Sequence, residues 1–321
     1  MSILKLLIKR ASRVLDSSRA DNDQMVTDAL VNPDSPASNH RRPSASDLPP
    51  HILKKALFYE IESPLLQYKR NVTSQGGEDG IIERIFSIIE PKNRFCCEFG
   101  AWDGKSLSNT WNLISNHGWR GLFIEGNPHR FADLQKTYER NENAMLLNRF
   151  VELEGDNSLD EILEQANAPA DLDLISIDID GNDYFVWESF AKRRPRLVVI
   201  EFNPTVPNDV FFVQARSNEV HQGCSLLALI FLGKQKGYEL ICCTEWNAFF
   251  VPKESFDVFN IRDNHINYMY SPSCDGRIFH GYDSYIHVVG MDKLMWSGHS
   301  VDSGDFQVLP SASRRFVDAQ R

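Results

Sequence analysis

The 321-residue sequence has no C-x-x-C pair, no long hydrophobic run, no G-x-G-x-x-G fingerprint and no excess of positive charge. Its six cysteines (Cys96, Cys97, Cys224, Cys242, Cys243 and Cys274) include none at a zinc-like spacing with histidine, so no cysteine-ligated zinc site is expected. Four of them form adjacent pairs inside apolar runs, where cysteine acts as a small buried hydrophobe, and a reducing, cytoplasmic compartment is the expectation. The longest apolar run, Leu226 to Leu232, has seven residues against the roughly 20 of a membrane-spanning helix, and no transmembrane segment is expected. The net charge of -10 argues against a surface that neutralises a phosphate backbone, so no nucleic-acid partner is expected. What is present, 42% hydrophobic and 24% charged residues, belongs to a protein with a sizeable core and excludes wholesale disorder, collagen-like sequence and coiled coil. The length suits one enlarged α/β domain with extensions.

The chain is not uniform. Residues 1 to 50 carry seven basic and six acidic side chains, so the acidity belongs to the remainder. Within the first 15 residues Lys5, Lys9, Arg10 and Arg13 alternate with Ile3, Leu4, Leu6, Leu7, Ile8, Val14 and Leu15, without an acid. That pattern fits a basic amphipathic helix lying on an anionic membrane or holding a partner. Five prolines and four serines between Val31 and Pro50 read as a linker, which puts the start of the folded domain near residue 51.

Beyond the linker, apolar runs alternate with helical patterns in the order of a parallel sheet with crossover helices. Helices are expected at 78–89, 107–116, 129–138, 158–166, 184–191 and 225–236, the last stopped by Gly237. Strands are expected at 95–99, 121–125, 144–151, 172–179 and 197–202. YELICCTE and AFFVPKE then form an antiparallel hairpin around Trp246 and Asn247. The fold class is therefore α/β, a Rossmann-like doubly wound sheet of seven strands, mostly parallel. Residues 51–253 form the ligand-binding domain, and 254–321 are a C-terminal extension that suits a substrate lid.

Open α/β sheets bind ligands outside the carboxyl ends of their strands, where the strand order reverses. Four such ends stand out. The first reads Glu98-Phe99-Gly100-Ala101-Trp102-Asp103-Gly104, in which two glycines allow a tight turn and close approach of backbone to ligand. At the second, Glu125 ends an apolar strand as an acceptor for a ribose diol. The third crowds Asp178, Asp180, Asn182 and Asp183, a concentration of oxygen donors that calls for a cation, a base or a positive ligand group. The fourth ends in Glu201 and Asn203.

Taken together, EFGAWDG, FIEGNP, LDEIL, DLISIDIDGNDY and RLVVIEFNP, with the upstream SQGGEDG, resemble the class I S-adenosylmethionine-dependent methyltransferases, and specifically the FkbM-type branch, over about residues 74 to 253. The resemblance implies that Glu98, Gly100 and Gly104 hold the methionine part of S-adenosylmethionine. It also implies that Glu125 takes the ribose hydroxyls and that the loop near Glu152 to Asp156 flanks adenine. The aspartate-rich strand end also resembles that of divalent-metal-dependent O-methyltransferases, which implies a Mg2+ site of Asp178, Glu201 and Asn203. Here Gly181 stands where those enzymes carry a lysine.

Methyl transfer asks the protein to align an acceptor with a reactive sulfonium and, for a hydroxyl, to remove a proton. Asp178 and Asp180 are the candidate bases, with Asp183 behind them and His221 as an alternative whose ordinary pKa suits neutral pH. The expected activity is O-methylation of a sugar, glycan or other small polar acceptor. The rival from another class is a non-catalytic methyltransferase-fold module in glycan or surface-polymer assembly, with the N-terminal helix as its tether. A nicotinamide-dependent oxidoreductase is disfavoured by the glycine spacing and the hairpin.

Overall fold

The computed structural model describes residues 63–271, 277–282, 285–289 and 302–307. The basic N-terminal segment, the linker and much of the C-terminal extension lie outside the described residues.

The chain enters through a short 3-10 turn at Leu66–Tyr68 and then forms α1 (Glu78–Ile89), with Glu78 and Asp79 in the first turn, where acids complement the helix dipole. There follow β1 (Phe95–Phe99), α2 (Trp111–His117), β2 (Arg120–Ile124), α3 (Pro128–Thr137) and β3 (Ala144–Leu147). Next come α4 (Leu159–Gln165), β4 (Leu174–Ile177), α5 (Asp183–Ser189), β5 (Leu197–Glu201) and α6 (Leu226–Gln235). The hairpin β6 (Tyr238–Cys243) and β7 (Asn247–Pro252) precedes α7 (Ile266–Met269), and β8 (Arg277–His280) and β9 (Ile286–Val289) form a separate two-stranded sheet.

Local chemistry sets several of these boundaries. Asn127 caps α3 by accepting from His129 N and Arg130 N, and Pro128 occupies the first helical position, where a missing N–H costs nothing. Ser158 and Ser225 cap α4 and α6 in the same way. Gly237, at φ +77, follows the end of α6. Two expected elements are shorter than the pattern suggests: α2 begins at Trp111 because 107–110 form a loop, and β3 stops at Leu147.

The seven-stranded sheet has the order β3-β2-β1-β4-β5-β7-β6, with β7 antiparallel to both its neighbours and every other pairing parallel. This is the α/β architecture expected from the sequence. Side chains alternate between two cores. Phe95, Cys97 and Phe99 of β1 pack with α4, α5 and α6, while Cys96 faces α1, α2 and α3. Strands buried on both faces explain the near-continuous apolar runs. The five described cysteines are free and buried, and burial pushes their thiol pKa values up, Cys242 to about 12. Phe259, Ile266, Met269 and Tyr270 are buried in the two cores, so residues 254 to 270 pack onto the domain. The strand order reverses between β1 and β4, and the carboxyl edge at that point holds the acidic strand ends.

Candidate functional site

Glu98, near the end of β1, is buried and organises its own loop. Its carboxylate accepts from Ser108 Oγ (2.5 Å), Thr110 Oγ1 (2.6 Å) and Asn109 N (3.0 Å). Asn109 in turn donates to Ser176 Oγ on β4 at 3.1 Å, which ties the loop across the sheet. Glu98 therefore shapes the edge through residues 108–110.

Between Gly100 and Leu107 the backbone is left-handed at Gly100 (φ +72), Trp102 (+50), Gly104 (+72) and Leu107 (+63). Gly100 is required by space as well as by φ, since a Cβ there would lie 1.7 Å from the Asp178 carbonyl oxygen. The ends of β1 and β4 thus meet backbone to backbone. Gly104 answers to different neighbours: its Cβ would strike Leu134 of α3 and Tyr138 at the end of that helix, and the Tyr138 hydroxyl donates to Gly104 O at 2.9 Å. Its constraint comes from helix packing.

Glu125 follows β2 and is 5% exposed. One carboxylate oxygen accepts from Trp102 N (2.8 Å) and the other from Asn127 N (2.7 Å). Each oxygen keeps a second lone pair for a ligand donor. The Trp102 bond holds a bulky residue in the left-handed region, a strained conformation that a structure retains where its surroundings fix it. Beside Glu125, Asn148 Nδ2 donates to Glu125 O (2.7 Å) and Gly126 O (3.3 Å), which turns the chain at the end of β3. That turn sets the Phe150 ring against Gly126 while leaving it 69% exposed. The apolar pattern puts Phe150 inside β3, whereas in the structure it lies beyond the strand, after Asn148 and Arg149.

On the other side of the reversal, Asp178, Asp180 and Glu201 bring carboxylate oxygens within 4.8 Å of one another. Three such charges repel unless donors or a cation offset them. Asp180 sits at φ +59, and the loop around it is held by Asp183, whose carboxylate accepts from Ile179 N and Gly181 N at 2.8 Å each. Burial pushes the Asp183 carboxyl up to about 6, the two N–H donors oppose the shift, and the charge on Asp180 adds to it. Asp183 is thus a loop anchor, buried away from any acceptor.

Asn203 bonds within the loop that follows β5. Its Oδ1 accepts from Thr205 N (3.0 Å) and Thr205 Oγ1 (2.5 Å), and its Nδ2 donates to Gln222 O (2.8 Å), so the amide closes the loop after β5. Of the metal set expected from the sequence, Asp178 and Glu201 converge, with Asp180 beside them. The same loop brings up Gln214, which local patterning does not reveal, and the alternative base His221. Gln214 is buried and bonds the 214–223 segment to Asn182, and the exposed His221 places Nδ1 2.9 Å from Asp180 O.

The edge therefore offers an acceptor carboxylate beside an exposed aromatic at β2 and β3, a tight glycine turn at β1, and a carboxylate cluster at β4 and β5. That combination can bind a ligand with hydroxyl and flat-ring parts at one end and place a second, donor-bearing molecule at the other. Among the described residues no helix is long and apolar enough to cross a membrane.

No family profile matches the chain, and no curated protein matches it. It is similar to several solved structures. The N-terminal domain of EvdMO1 with SAH bound aligns over 55% of this chain and 80% of its own, at 12% identity and a TM-score of 0.38. The CurJ carbon methyltransferase aligns over 58% of this chain at 9% identity and a TM-score of 0.41, and the chain spans just over half (56%) of that domain's own length. M. jannaschii TYW2 in complex with AdoMet aligns over 57% of this chain and 79% of its own, at 15% identity and a TM-score of 0.32. At these identities and scores the site has to be argued from its own residues.

Proposed function

We propose that the chain is an S-adenosylmethionine-dependent methyltransferase and that it methylates a hydroxyl of a small polar acceptor, a sugar or glycan. The observation that carries the reading is Glu125. A buried carboxylate at the end of β2, with lone pairs to spare, lies between the tight Gly100 turn and an exposed aromatic ring, Phe150. A nucleoside with a vicinal diol matches that pairing of acceptor and ring face. Gly100 lets the ends of β1 and β4 meet backbone to backbone beneath the ligand, Glu98 holds loop 108–110 in place, and Gly104 seats the turn on α3.

S-adenosylmethionine supplies a methyl group already activated on a sulfonium. The chain's own residues then have to orient the acceptor and exclude competing geometries. Asp178 and Asp180 accept hydrogen bonds from acceptor hydroxyls and set the reacting oxygen in line. Their negative charge also suits a cationic methyl donor.

A magnesium ion is the finer part of this proposal. Asp178 and Glu201 are hard oxygen donors, and Mg2+ is commonly held by one or two carboxylates with water completing its shell. Methyl transfer is expected to fall on treatment with EDTA and return with Mg2+; turnover unchanged in EDTA would remove the metal.

The whole reading is tested by titrating S-adenosylmethionine into the full-length chain in a calorimeter. Saturable 1:1 binding that weakens in Glu125→Ala is expected, and absence of binding would overturn it.

A further inference from the structure

His221 lies between β5 and α6, and its Nδ1 stands 2.9 Å from the backbone carbonyl oxygen of Asp180. A carbonyl oxygen can only accept, so the proton in that bond belongs to Nδ1, and the neutral ring carries its lone pair on Nε2. Both sides of the contact are fixed. On the Asp180 side, the Asp183 carboxylate grips Ile179 N and Gly181 N, the residues flanking Asp180. On the His221 side, Gln214 donates to Val220 O (2.8 Å) and accepts from Gln222 N (2.9 Å), the residues flanking His221. Gln214 also donates to Asn182 Oδ1 at 3.2 Å, so the two loops move as one. Two loops thus converge on an exposed imidazole in a defined tautomer.

The surface around the ring is acidic. The loop it leans on carries Asp178 and Asp180, which share the carboxylate cluster with Glu201. Its own segment adds Glu219, while the one cation there, Arg216, is engaged with Glu188 at 2.8 Å.

We propose that His221 is the general base of the transfer. The proposal rests on the methyltransferase reading. Nε2 takes the hydroxyl proton of the acceptor as the acceptor oxygen bonds to the methyl carbon. The carbon–sulfur bond breaks with its electron pair remaining on sulfur, which leaves a neutral thioether, and the imidazolium returns its proton to water. Asp178 and Asp180 keep the task of orienting the acceptor.

Two measurements on the full-length chain test the assignment. The first is a long-range 1H–15N correlation on histidine-labelled protein at mildly alkaline pH, with His221 assigned by its loss in His221→Asn. The Nδ1–H tautomer is expected; an Nε2–H tautomer would overturn the proposal. The second compares radiolabelled methyl transfer to methyl glycosides as probe acceptors. Asn keeps a side-chain N–H for Asp180 O but has no lone pair that can serve as a base. His221→Asn is therefore expected to lose transfer ~100-fold or more, with the melting temperature and S-adenosylmethionine affinity unchanged. A loss below about threefold would overturn it, since general-base catalysis contributes ~100-fold or more. Failure of the unmodified chain to bind S-adenosylmethionine overturns the methyltransferase reading and the base with it, whatever the tautomer.

Discussion

Gly100→Ala perturbs the point where β1 and β4 meet. Two costs combine there. A non-glycine residue at φ +72 pays roughly 1 to 2 kcal/mol for the left-handed conformation. The new Cβ also starts 1.7 Å from the Asp178 carbonyl oxygen, a backbone atom that cannot rotate away, so the strand ends must part. Forcing extra volume into a packed site costs about 1 to 3 kcal/mol more. The expected loss is roughly 2 to 5 kcal/mol. Gly118 supplies the control, because it ends α2 at φ +67 with nothing within 4 Å of a Cβ. Gly118→Ala should show the conformational cost alone, about 1 kcal/mol. Urea denaturation of both variants beside the unmodified chain measures the difference. Parting the strand ends also shifts Asp178, so methyl transfer should be lost in Gly100→Ala under conditions where the protein is still folded. Equal destabilisation by the two substitutions would refute the close approach of β1 to β4.

Asp180→Asn removes one of three clustered carboxylates at a left-handed position that asparagine tolerates well. It should leave stability unchanged or raise it by up to about 1 kcal/mol while abolishing methyl transfer, and a fall in melting temperature would contradict the repulsive cluster. Phe150→Ala removes a ring that is 69% exposed, so its urea midpoint should stay within about 0.5 kcal/mol of the unmodified chain. S-adenosylmethionine affinity should nonetheless drop about tenfold by calorimetry, the worth of one aromatic contact; an unchanged affinity removes Phe150 from the site. Asp183 gives a pH test. Its folded value, about 6, lies above the ordinary aspartate value of about 3.9, so the fold favours the protonated form. The stability it contributes is complete below about pH 4 and is lost as pH rises through 6, a span worth roughly 3 kcal/mol. Denaturation midpoints measured from pH 4 to 7 should decline less in Asp183→Asn than in the unmodified chain, and parallel declines would contradict the assignment.

The fold was legible because its signals are local. Apolar runs buried on both sheet faces and Gly237 after α6 each specify an element without help from distant residues. The errors fall where a distant partner decides. The sequence extends α2 back to Leu107, but the carboxylate of Glu98 holds residues 108–110 in a loop. It extends β3 to Val151, but Asn148 turns the chain by bonding to Glu125 O and Gly126 O. At the site, strand-end acids were readable because the ends of parallel strands share one edge by topology. The direction of Asn203 was not readable, because the long segment after β5 folds back and engages its amide with Gln222 and Thr205. Gln214 and His221 sit in that same segment, and only tertiary contacts bring them to the β4 loop.

The most direct test of the central claim is calorimetric titration of S-adenosylmethionine into the full-length chain, repeated with Glu125→Ala and with NADH in place of the sulfonium. The account predicts one saturable site for S-adenosylmethionine, weakened at least tenfold in Glu125→Ala by loss of a charge-assisted hydrogen bond worth about 1.5 to 3 kcal/mol, and no heat with NADH. No binding of S-adenosylmethionine, or binding indifferent to Glu125, would contradict it.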